Sequence, residues 1–235
     1  MYSFDSRIRY SEVDIDEKLP LDGIINYFQD CSTFQSEDLG IGLEYLRERH
    51  MVWVLSSWQI VVEEYPQLCD YVVIGTSPYE LRGFLGYRNF FMMDEQGKKL
   101  AYANSIWTLL STDTMAPTRA TEQIIKAYAI EEKYPMEYCS RKIPIPEQGQ
   151  CGEEIIVKHH HLDTNNHVNN GQYVRMAMDF LPEGSIVHQM RAEYKKSAVL
   201  GDILVPVVTK QGEQTIVVLQ SKEAVPYCIV EFLCK

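Results

Sequence analysis

Hydrophobic residues are concentrated in separate runs of the chain, and the composition of these runs predicts strands. The run from Met51 to Val62, MVWVLSSWQIVV, is rich in β-branched and aromatic residues, which favours a buried strand over a surface helix. Further strand-like runs begin at Tyr71, Leu85 and Lys99, and the last two are separated by the tetrapeptide DEQG at 94–97, which is typical of a hairpin. The first half of the chain therefore predicts an antiparallel sheet.

Two other segments place their apolar residues at the i, i+3, i+4 and i+7 positions of a helix with one apolar face. In the first half these positions are Leu21, Ile24, Ile25 and Phe28. In the second half they are Tyr173, Met176, Ala177 and Phe180. Four strand-like runs follow the second helix, at 186–194, 202–208, 215–220 and 226–234. Each half therefore predicts one helix accompanied by several strands.

Short matches between the halves indicate that the plan is duplicated. Asp14-x-Asp16-x-x-Leu19 aligns with Asp163-x-Asn165-x-x-Val168 at an offset of 149 residues. The tripeptide LCD at 68–70 aligns with LGD at 200–202 at an offset of 132. The two offsets differ by 17, so the first half carries about seventeen extra residues between these points. A longer helix and the following loop, DLGIGLEYLRERH, would supply them.

The segment between the halves predicts a short helix and a linker. The helix is expected within 120–129, and the stretch 134–150 contains three prolines and a glycine, which is typical of an extended linker. We therefore divide the chain into an N-terminal domain at 1–130, a linker at 131–150 and a C-terminal domain at 151–235.

A sheet with one apolar face buries that face most economically by wrapping around one apolar helix. Each half of the chain predicts this hot-dog arrangement. The expected fold class is α+β, a tandem (double) hot-dog in which each half is an antiparallel sheet wrapped around one central helix.

The composition narrows the class of protein. The 235 residues are 46% hydrophobic and 23% charged, so the chain can bury a core and intrinsic disorder is excluded. The formal charge of −11 argues against nucleic acid as the main partner. No apolar run approaches the roughly 20 residues that cross a bilayer, and MYSFDSRIRY is not a signal peptide. We expect a cytoplasmic protein with no membrane partner.

Six cysteines stand at 31, 69, 139, 151, 228 and 234, and no pair has the CxxC spacing. A cytosolic chain of this size needs no disulfides for stability. We expect reduced and mostly buried thiols, neither a zinc site nor a disulfide framework.

The densest polar cluster lies at 158–170, where a strand ends and the second helix begins. Asp163, Asn165 and His167 fall within five residues, and Asn169 or Asn170 can cap the helix. A carboxylate, an amide and an imidazole are what hydrolysis by an activated water requires, because a base takes the proton and donors hold the developing oxyanion. The alternative is an Asx-rich turn whose side chains only satisfy backbone groups.

The run His159-His160-His161 raises the possibility of a metal site. If this segment is a strand, consecutive residues point to alternating faces, so at most His159 and His161 could share one ion. No second cluster has matching spacing, and no metal site is predicted. The chain also lacks a phosphate-binding loop, a GxSxG elbow and a GxGxxG turn.

The segment LDTNNHVNN resembles the D-x-N-x-H-V-N-N motif of the acyl-acyl carrier protein thioesterases. The resemblance implies that Asp163, Asn165 and His167 are catalytic. It extends to FQDCSTFQSEDLGIG and VWVLSSWQIVV in the first half, and therefore to nearly the whole chain. The two-half layout favours this family over single-domain acyl-CoA enzymes.

One position departs from the family pattern. The plant enzymes carry E-Y-R-R-E-C downstream of the motif, whereas this chain has EYKKSA at 193–198. Ser197 stands where the family has a glutamate that is held to act as a base, and a serine hydroxyl can hold a water without replacing that base. Glu193 is a poor substitute, because residues four apart on one strand lie about 13 Å apart.

The resemblance implies hydrolysis of a fatty acyl thioester of acyl carrier protein, with no cofactor. Asp163 would be the base or nucleophile, Asn165 would orient it or the water, and His167 would polarise the carbonyl or the water. Backbone amides near Asn169 would complete the oxyanion site. The acyl chain would occupy an apolar tunnel of the N-terminal half beside Trp58, although a tryptophan on a buried strand is more often plain core.

The partner implied by the resemblance is the acyl carrier protein, which is strongly acidic, so docking requires a local basic patch. The candidate patches are Lys98-Lys99, Arg141-Lys142 and Lys195-Lys196. Two alternatives stay open: an acyl-CoA thioesterase, and a hot-dog protein that binds acyl chains with little or no turnover, which Ser197 favours. Chain-length preference and a homodimer are also left open.

Overall fold

The computed structural model describes residues 1–235 as two compact units. The first consists of Met1–Ser56 and Val62–Tyr138, and the second of Ser57–Val61 and Cys139–Lys235. The predicted linker is therefore shared between the units, and one segment of the predicted N-terminal domain belongs to the second unit.

The first unit contains three α-helices, one 3₁₀ helix and an antiparallel sheet. The helices are α1 (Leu21–Asp38), α2 (Leu43–Glu48) and α3 (Glu122–Ala127), and the 3₁₀ helix is Tyr10–Glu12. The strands are β1 (Tyr2–Arg7), β2 (Met51–Val62), β3 (Tyr71–Arg82), β4 (Leu85–Asp94) and β5 (Lys99–Ser111), in the spatial order β1-β3-β4-β5-β2.

The second unit contains one α-helix, one 3₁₀ helix and its own set of antiparallel strands. The helices are α4 (Asn170–Met178) and the 3₁₀ helix His159–His161. The strands are β6 (Gln150–Cys151), β7 (Ile155–Ile156), β8 (Val187–Tyr194), β9 (Ile203–Gln211), β10 (Gln214–Gln220) and β11 (Pro226–Cys234). The spatial order is β8-β11-β10-β9, with β6 and β7 paired to β9 and residues 57–61 of β2 paired to β8.

Each unit buries the apolar face of one main helix against its sheet. The predicted face of α1 is fully buried, and α1 packs against β1 and β3. In α4, Tyr173, Met176 and Ala177 are buried, and the helix packs against β10 and β11. Phe180 was wrongly placed on this helix, which ends at Met178 because Pro182 disfavours helical backbone just before it.

The first of the two matches that predicted the duplication is reproduced in hydrogen bonding. Asp14 Oδ1 accepts hydrogen bonds from the backbone amides two and four residues further on, at 2.9 and 3.0 Å. Asp163 Oδ1 accepts from the amides at the same two positions, at 2.8 and 3.1 Å. The same loop therefore precedes the main helix of each unit.

The second match is also reproduced. Asp70 Oδ2 accepts from the amide three residues before it at 2.8 Å, and Asp202 Oδ2 does so at 3.0 Å. Cys69 and Gly201, the preceding residues, both have positive φ, at 73° and 84°. The extra residues of the first unit are the second half of α1, which has 18 residues against nine in α4, and α2. The predicted duplication is confirmed.

Three expectations differ from the structure. Strand β1 was not predicted; it is an edge strand of six residues whose side chains alternate between half-buried and exposed, so it lacks a continuous apolar run. The three histidines at 159–161 form a 3₁₀ helix, so the argument from strand geometry does not apply to them. Only Cys31 and Cys228 among the six free cysteines are buried, so the expectation of mostly buried thiols is wrong.

No helix of the protein is both long enough and apolar enough to cross a bilayer.

Candidate functional site

The loop that precedes α4 carries Asp163, Asn165 and His167, and the Asp163 carboxylate closes it. Asp163 Oδ1 accepts hydrogen bonds from the backbone amides of Asn165 at 2.8 Å and His167 at 3.1 Å. The Asp163 amide donates to the His167 carbonyl at 2.7 Å, and Asn166 turns the chain at a φ of 60°. Asparagine tolerates this left-handed conformation better than most residues. The structure therefore brings the three predicted catalytic residues into one closed loop.

Three polar groups of this loop are available to a ligand. Asp163 Oδ2 and the side chains of Asn165 and His167 make no hydrogen bond within the chain. Asn165 is exposed, and Asp163 and His167 are half-buried. A carboxylate oxygen can accept a proton, whereas an amide and an imidazole can donate hydrogen bonds to an oxygen atom. The loop thus offers both functions that hydrolysis by water requires.

Asn169, one of the two residues predicted to cap the second helix, is the N-cap of α4. Its Oδ1 accepts the Gly171 amide at 2.9 Å, and its own amide donates to the His161 carbonyl at 2.8 Å. The amides of Asn169 and Gly171 are therefore occupied. The expectation that backbone amides near Asn169 bind the oxyanion is wrong for these two groups. The side-chain nitrogens of Asn165 and His167 are donors that the loop still offers.

Ser197 lies on a neighbouring loop and not on a strand, because β8 ends at Tyr194. Ser197 is exposed, and the residue after it, Ala198, is fully buried. The Ala198 carbonyl accepts the Val168 amide at 2.9 Å, and the Ala198 amide donates to the Tyr173 hydroxyl at 2.7 Å. The backbone thus places position 197 beside the loop of Asp163. The spacing argument based on one continuous strand does not apply to it.

Trp58 lies on the side of the second unit's sheet that faces α4. It pairs with Ala192 on β8, and directly opposed residues of antiparallel strands share a face. Tyr194 shares this face, and its hydroxyl donates to the Asn170 carbonyl at 3.0 Å. Trp58 is 2% exposed and belongs to the second unit. Its burial is that of a core residue, outside the loop of Asp163.

Three residues to which the sequence analysis gave no catalytic role support the loop. Burial raises the pKa of Tyr173 and of Tyr194, so both phenols stay neutral and serve as hydrogen-bonding groups. Burial is also the largest cause that lowers the pKa of His161, and the neighbouring charges of His160 and Lys158 add to it. His161 Nδ1 accepts the Lys158 amide at 3.0 Å, which requires Nδ1 to be unprotonated. The sequence signals for these residues were the positions of the tyrosines in apolar runs and of His161 in the polar cluster at 158–170.

The structure contains no group of three histidine, cysteine or carboxylate side chains close enough to hold a metal ion.

The first unit provides an internal comparison for the loop. Asp14 closes its loop as Asp163 does, and Glu17 has the same φ of 60° as Asn166. These shared features belong to the architecture of the duplicated loop, because they occur in both units although the other side chains of the two loops differ. Asp163 is therefore a structural residue of the loop, whatever else it does.

The two loops differ in the side chains that they present. The second unit has Asn165 and His167 where the first has Asp16 and Lys18. A lysine ammonium has no acceptor and cannot replace a neutral imidazole. The amide and the imidazole distinguish the second loop chemically from its copy.

Two family models match the chain. The acyl-ACP thioesterase N-terminal domain matches residues 1–128, and the acyl-ACP thioesterase C-terminal domain matches residues 146–225. The chain belongs to the acyl-ACP thioesterase family. The D-x-N-x-H-V-N-N segment at 163–170 and the departure at Ser197 both fall within the match to the C-terminal domain. The resemblance predicted from that segment is confirmed.

Named relatives of this acyl-ACP thioesterase family member include the chloroplastic oleoyl-acyl carrier protein thioesterase 2 of Arabidopsis thaliana, which is 24% identical over 232 residues. The match covers 89% of the chain and 63% of the relative. The chain thus spans less than two thirds of that relative's own length, and about half the length of several other curated relatives.

Solved structures of the family share the fold. The acyl-ACP thioesterase from Bacteroides thetaiotaomicron superposes with a TM-score of 0.90 at 23% identity, covering 99% of this chain and 97% of that one. The 12:0-ACP thioesterase from Umbellularia californica gives a TM-score of 0.84 at 19% identity, with the same coverage of both chains. The predicted α+β double hot-dog fold is confirmed.

Proposed function

We propose that the protein hydrolyses fatty acyl thioesters of acyl carrier protein to free fatty acid and the carrier. The observation that carries this proposal is the closed loop of Asp163, Asn165 and His167 in a chain that belongs to the acyl-ACP thioesterase family. The printed names of the Arabidopsis relative and of the two solved structures support the same substrate class.

The reaction uses one water molecule. Asp163 Oδ2, which has no partner within the chain, takes a proton as the water oxygen attacks the thioester carbonyl carbon. The carbon–sulfur bond then breaks, the carbonyl oxygen reforms its double bond, and the sulfur leaves as a thiolate that receives the proton. In the alternative path Asp163 attacks the carbonyl itself, and water hydrolyses the resulting anhydride. Both paths yield one carboxylic acid and one thiol.

The side chains of Asn165 and His167 stabilise the negative oxygen that develops on the carbonyl. Their backbone amides are fixed by the Asp163 carboxylate, so the backbone from which both side chains project is held in place. Donors held in place before the reaction are effective because no reorganisation is needed as charge develops. Asn165 also orients the water or the Asp163 carboxylate, and Asn169 positions the loop by capping α4.

The acyl chain lies in an apolar tunnel of the N-terminal domain, residues 1–130, because an alkyl chain needs apolar walls. Trp58 is a buried core residue of the second unit and is not part of the proposed tunnel. Ser197 lies beside the loop and holds the attacking water in place of the family glutamate. No cofactor is part of the proposed reaction.

The proposal is tested by incubating the purified protein with acyl carrier protein thioesters of different chain length and measuring the released thiol over time. A CoA thioester of the best chain length is assayed in parallel. We expect turnover with at least one carrier thioester at a higher kcat/KM than with its CoA counterpart. A higher kcat/KM for CoA would assign the protein to acyl-CoA hydrolysis. Binding without thiol release would assign it to acyl-chain binding, which the serine at position 197 favours.

A further inference from the structure

Charge is distributed unevenly between the two units. The second unit has 10 Lys and Arg against 11 Asp and Glu, a formal charge of −1, whereas the first has 12 against 22, a charge of −10. An acidic protein is repelled by the first unit and meets almost no net charge on the second. A surface that binds an acidic partner is therefore expected on the second unit.

Glu193 brings two basic segments of this unit together. This carboxylate is 4% exposed, and its Oε1 pairs with Lys195 Nζ at 2.6 Å. Its Oε2 accepts the backbone amide of Ile143 at 3.0 Å. Ile143 directly follows Arg141 and Lys142 in the chain. The two cations of the predicted linker therefore lie beside the lysines that follow β8.

The linker segment is held in this position by further hydrogen bonds. Arg191 Nη2 donates to the carbonyls of Ser140 at 2.6 Å and Lys142 at 3.1 Å. The charge of Arg191 is balanced by Glu231, whose carboxylate lies 2.8 Å from Arg191 Nη1. The backbone that presents the exposed cations is thus fixed before any partner arrives, which lowers the entropy cost of binding.

We name Arg141, Lys142, Lys195 and Lys196 the basic surface. The side chains of Arg141 and Lys142 are exposed and make no hydrogen bond or ion pair within the chain. Lys196 is exposed, and its ammonium lies 5.1 Å from the centre of a tyrosine ring. Glu193 neutralises Lys195, and Lys196 interacts electrostatically with Glu223, so Arg141 and Lys142 are the two cations of this surface that have no acidic partner.

The basic surface adjoins the loop of Asp163. Lys195 and Lys196 directly precede Ser197 and Ala198, and the Ala198 carbonyl accepts the Val168 amide at 2.9 Å. A partner bound to the basic surface would hold its prosthetic group within reach of the motif loop. The third predicted patch, Lys98-Lys99, lacks this placement, because it lies in the first unit, where Lys98 is paired with Glu64.

We propose that the basic surface is where the acidic carrier protein docks while its pantetheine arm delivers the thioester to the loop of Asp163. This inference rests on the proposed function and adds the surface that selects the carrier. Carboxylates on the surface of the carrier are negative, and complementary charge across an interface speeds encounter and fixes orientation. The cations come from two separate chain segments, which suits a protein surface better than one small anion.

The double variant R141E/K142E tests the proposal, because these two side chains have no partner in the chain and lie outside the loop of Asp163. We measure kcat/KM at low salt for one acyl group on the carrier protein, on CoA and on uncharged N-acetylcysteamine. We expect a loss of about tenfold or more for the carrier thioester, in line with electrostatic steering. The N-acetylcysteamine thioester should be hydrolysed at an unchanged rate.

The matched control is K210E/K235E, which makes the same change in net charge at two exposed lysines of the second unit. It should change the carrier kcat/KM by less than about twofold. An equal loss for carrier and CoA thioesters would overturn the proposal by assigning the surface to the arm's phosphate. Full carrier activity in R141E/K142E, or equal losses in both double variants, would also overturn it.

Binding of the holo-carrier, measured by fluorescence anisotropy, separates this inference from the proposed function. If no thioester is hydrolysed but the wild type binds the carrier and R141E/K142E does not, the docking surface stands and the proposed hydrolysis fails. If the wild type hydrolyses the carrier thioester and both proteins bind the carrier equally, the docking surface fails and the hydrolysis stands.

Discussion

The amide of Val168 donates a hydrogen bond to the carbonyl of Ala198 at 2.9 Å, which joins the loop of Asp163 to the loop that carries Ser197. The equivalent bond in the first unit runs from Leu19 to Pro66 at 2.8 Å. The contact is thus a property of the duplicated fold and does not depend on the side chains that differ between the units. It places position 197 beside the loop of Asp163, so a charge introduced at position 197 should affect that loop.

The variant Ser197→Glu tests this placement by restoring an acidic group where the family has one. A second carboxylate beside Asp163 disfavours ionisation of one of the two groups. We therefore expect activity on an acyl carrier thioester to fall at neutral pH, and the pH–rate profile to gain a limb from the second titrating group. The same rate and profile as wild type between pH 5 and 9 would place position 197 outside the site.

The variant Tyr173→Phe tests how the two loops are held together. It removes the hydroxyl that accepts the buried Ala198 amide at 2.7 Å and leaves that donor without a partner. An unsatisfied buried donor costs about 1–3 kcal/mol. We expect the free energy of unfolding, measured by urea titration, to fall by about this amount. A midpoint equal to that of wild type would show that the bond does not contribute to stability.

Strand prediction succeeded where the apolar signal was continuous. The run at 51–62 was predicted as a strand and forms β2 over the same residues, because its β-branched and aromatic side chains are buried along most of their length. The turn at 94–97 was predicted from DEQG, and Gly97 adopts the positive φ of 79° that such a turn needs. Helix α3 is shorter at each end than the predicted range by about two residues.

The parts that could not be predicted depend on contacts between distant residues. The motif placed Asp163, Asn165 and His167 in one loop because they are close in sequence. The contact of Tyr173 with Ala198 joins residues 25 positions apart, and no local pattern indicates it. The histidines at 159–161 form a 3₁₀ helix because hydrogen bonds between neighbouring residues close the turn. The metal-site argument assumed a strand at this position and therefore did not predict the turn.

The stability of the protein should depend on pH through His161. Its pKa is lowered in the folded protein, chiefly by burial, so the unfolded chain binds the proton more readily. This contribution to stability is complete above the ordinary value of 6.5 and is lost as the pH falls through the folded value. Protonation of Nδ1 also removes the acceptor of the Lys158 amide. Urea midpoints should therefore decrease as the pH is lowered from 7.5 to 5.

The variant His161→Gln is the control for this dependence. Glutamine can still accept the Lys158 amide in the same position but does not titrate. The midpoint of the variant should decrease less than that of wild type over the same pH range. Equal decreases in both proteins would assign the pH dependence to other groups.

Hydrolysis of the carrier thioester should weaken with added salt more than hydrolysis of a short uncharged thioester. Charges on exposed side chains are screened beyond about 10 Å at 0.1 M salt, and docking of an acidic protein depends on them. The measurement is kcat/KM for both substrates between low salt and about 0.3 M. The same salt dependence for both would count against recognition of the carrier by charge.

The most direct test of the central claim compares Asp163→Asn with Asp14→Asn in hydrolysis of an acyl carrier thioester. Both aspartates close the same backbone loop, and asparagine can keep the accepting oxygen at each position, so both variants should stay folded. We predict that Asp163→Asn lowers kcat by a factor of about 10² or more, the scale of general base catalysis, while Asp14→Asn keeps the wild-type rate. A kcat above about a tenth of wild type in Asp163→Asn would remove this residue from the mechanism, and equal losses in both variants would reduce its role to closing the loop.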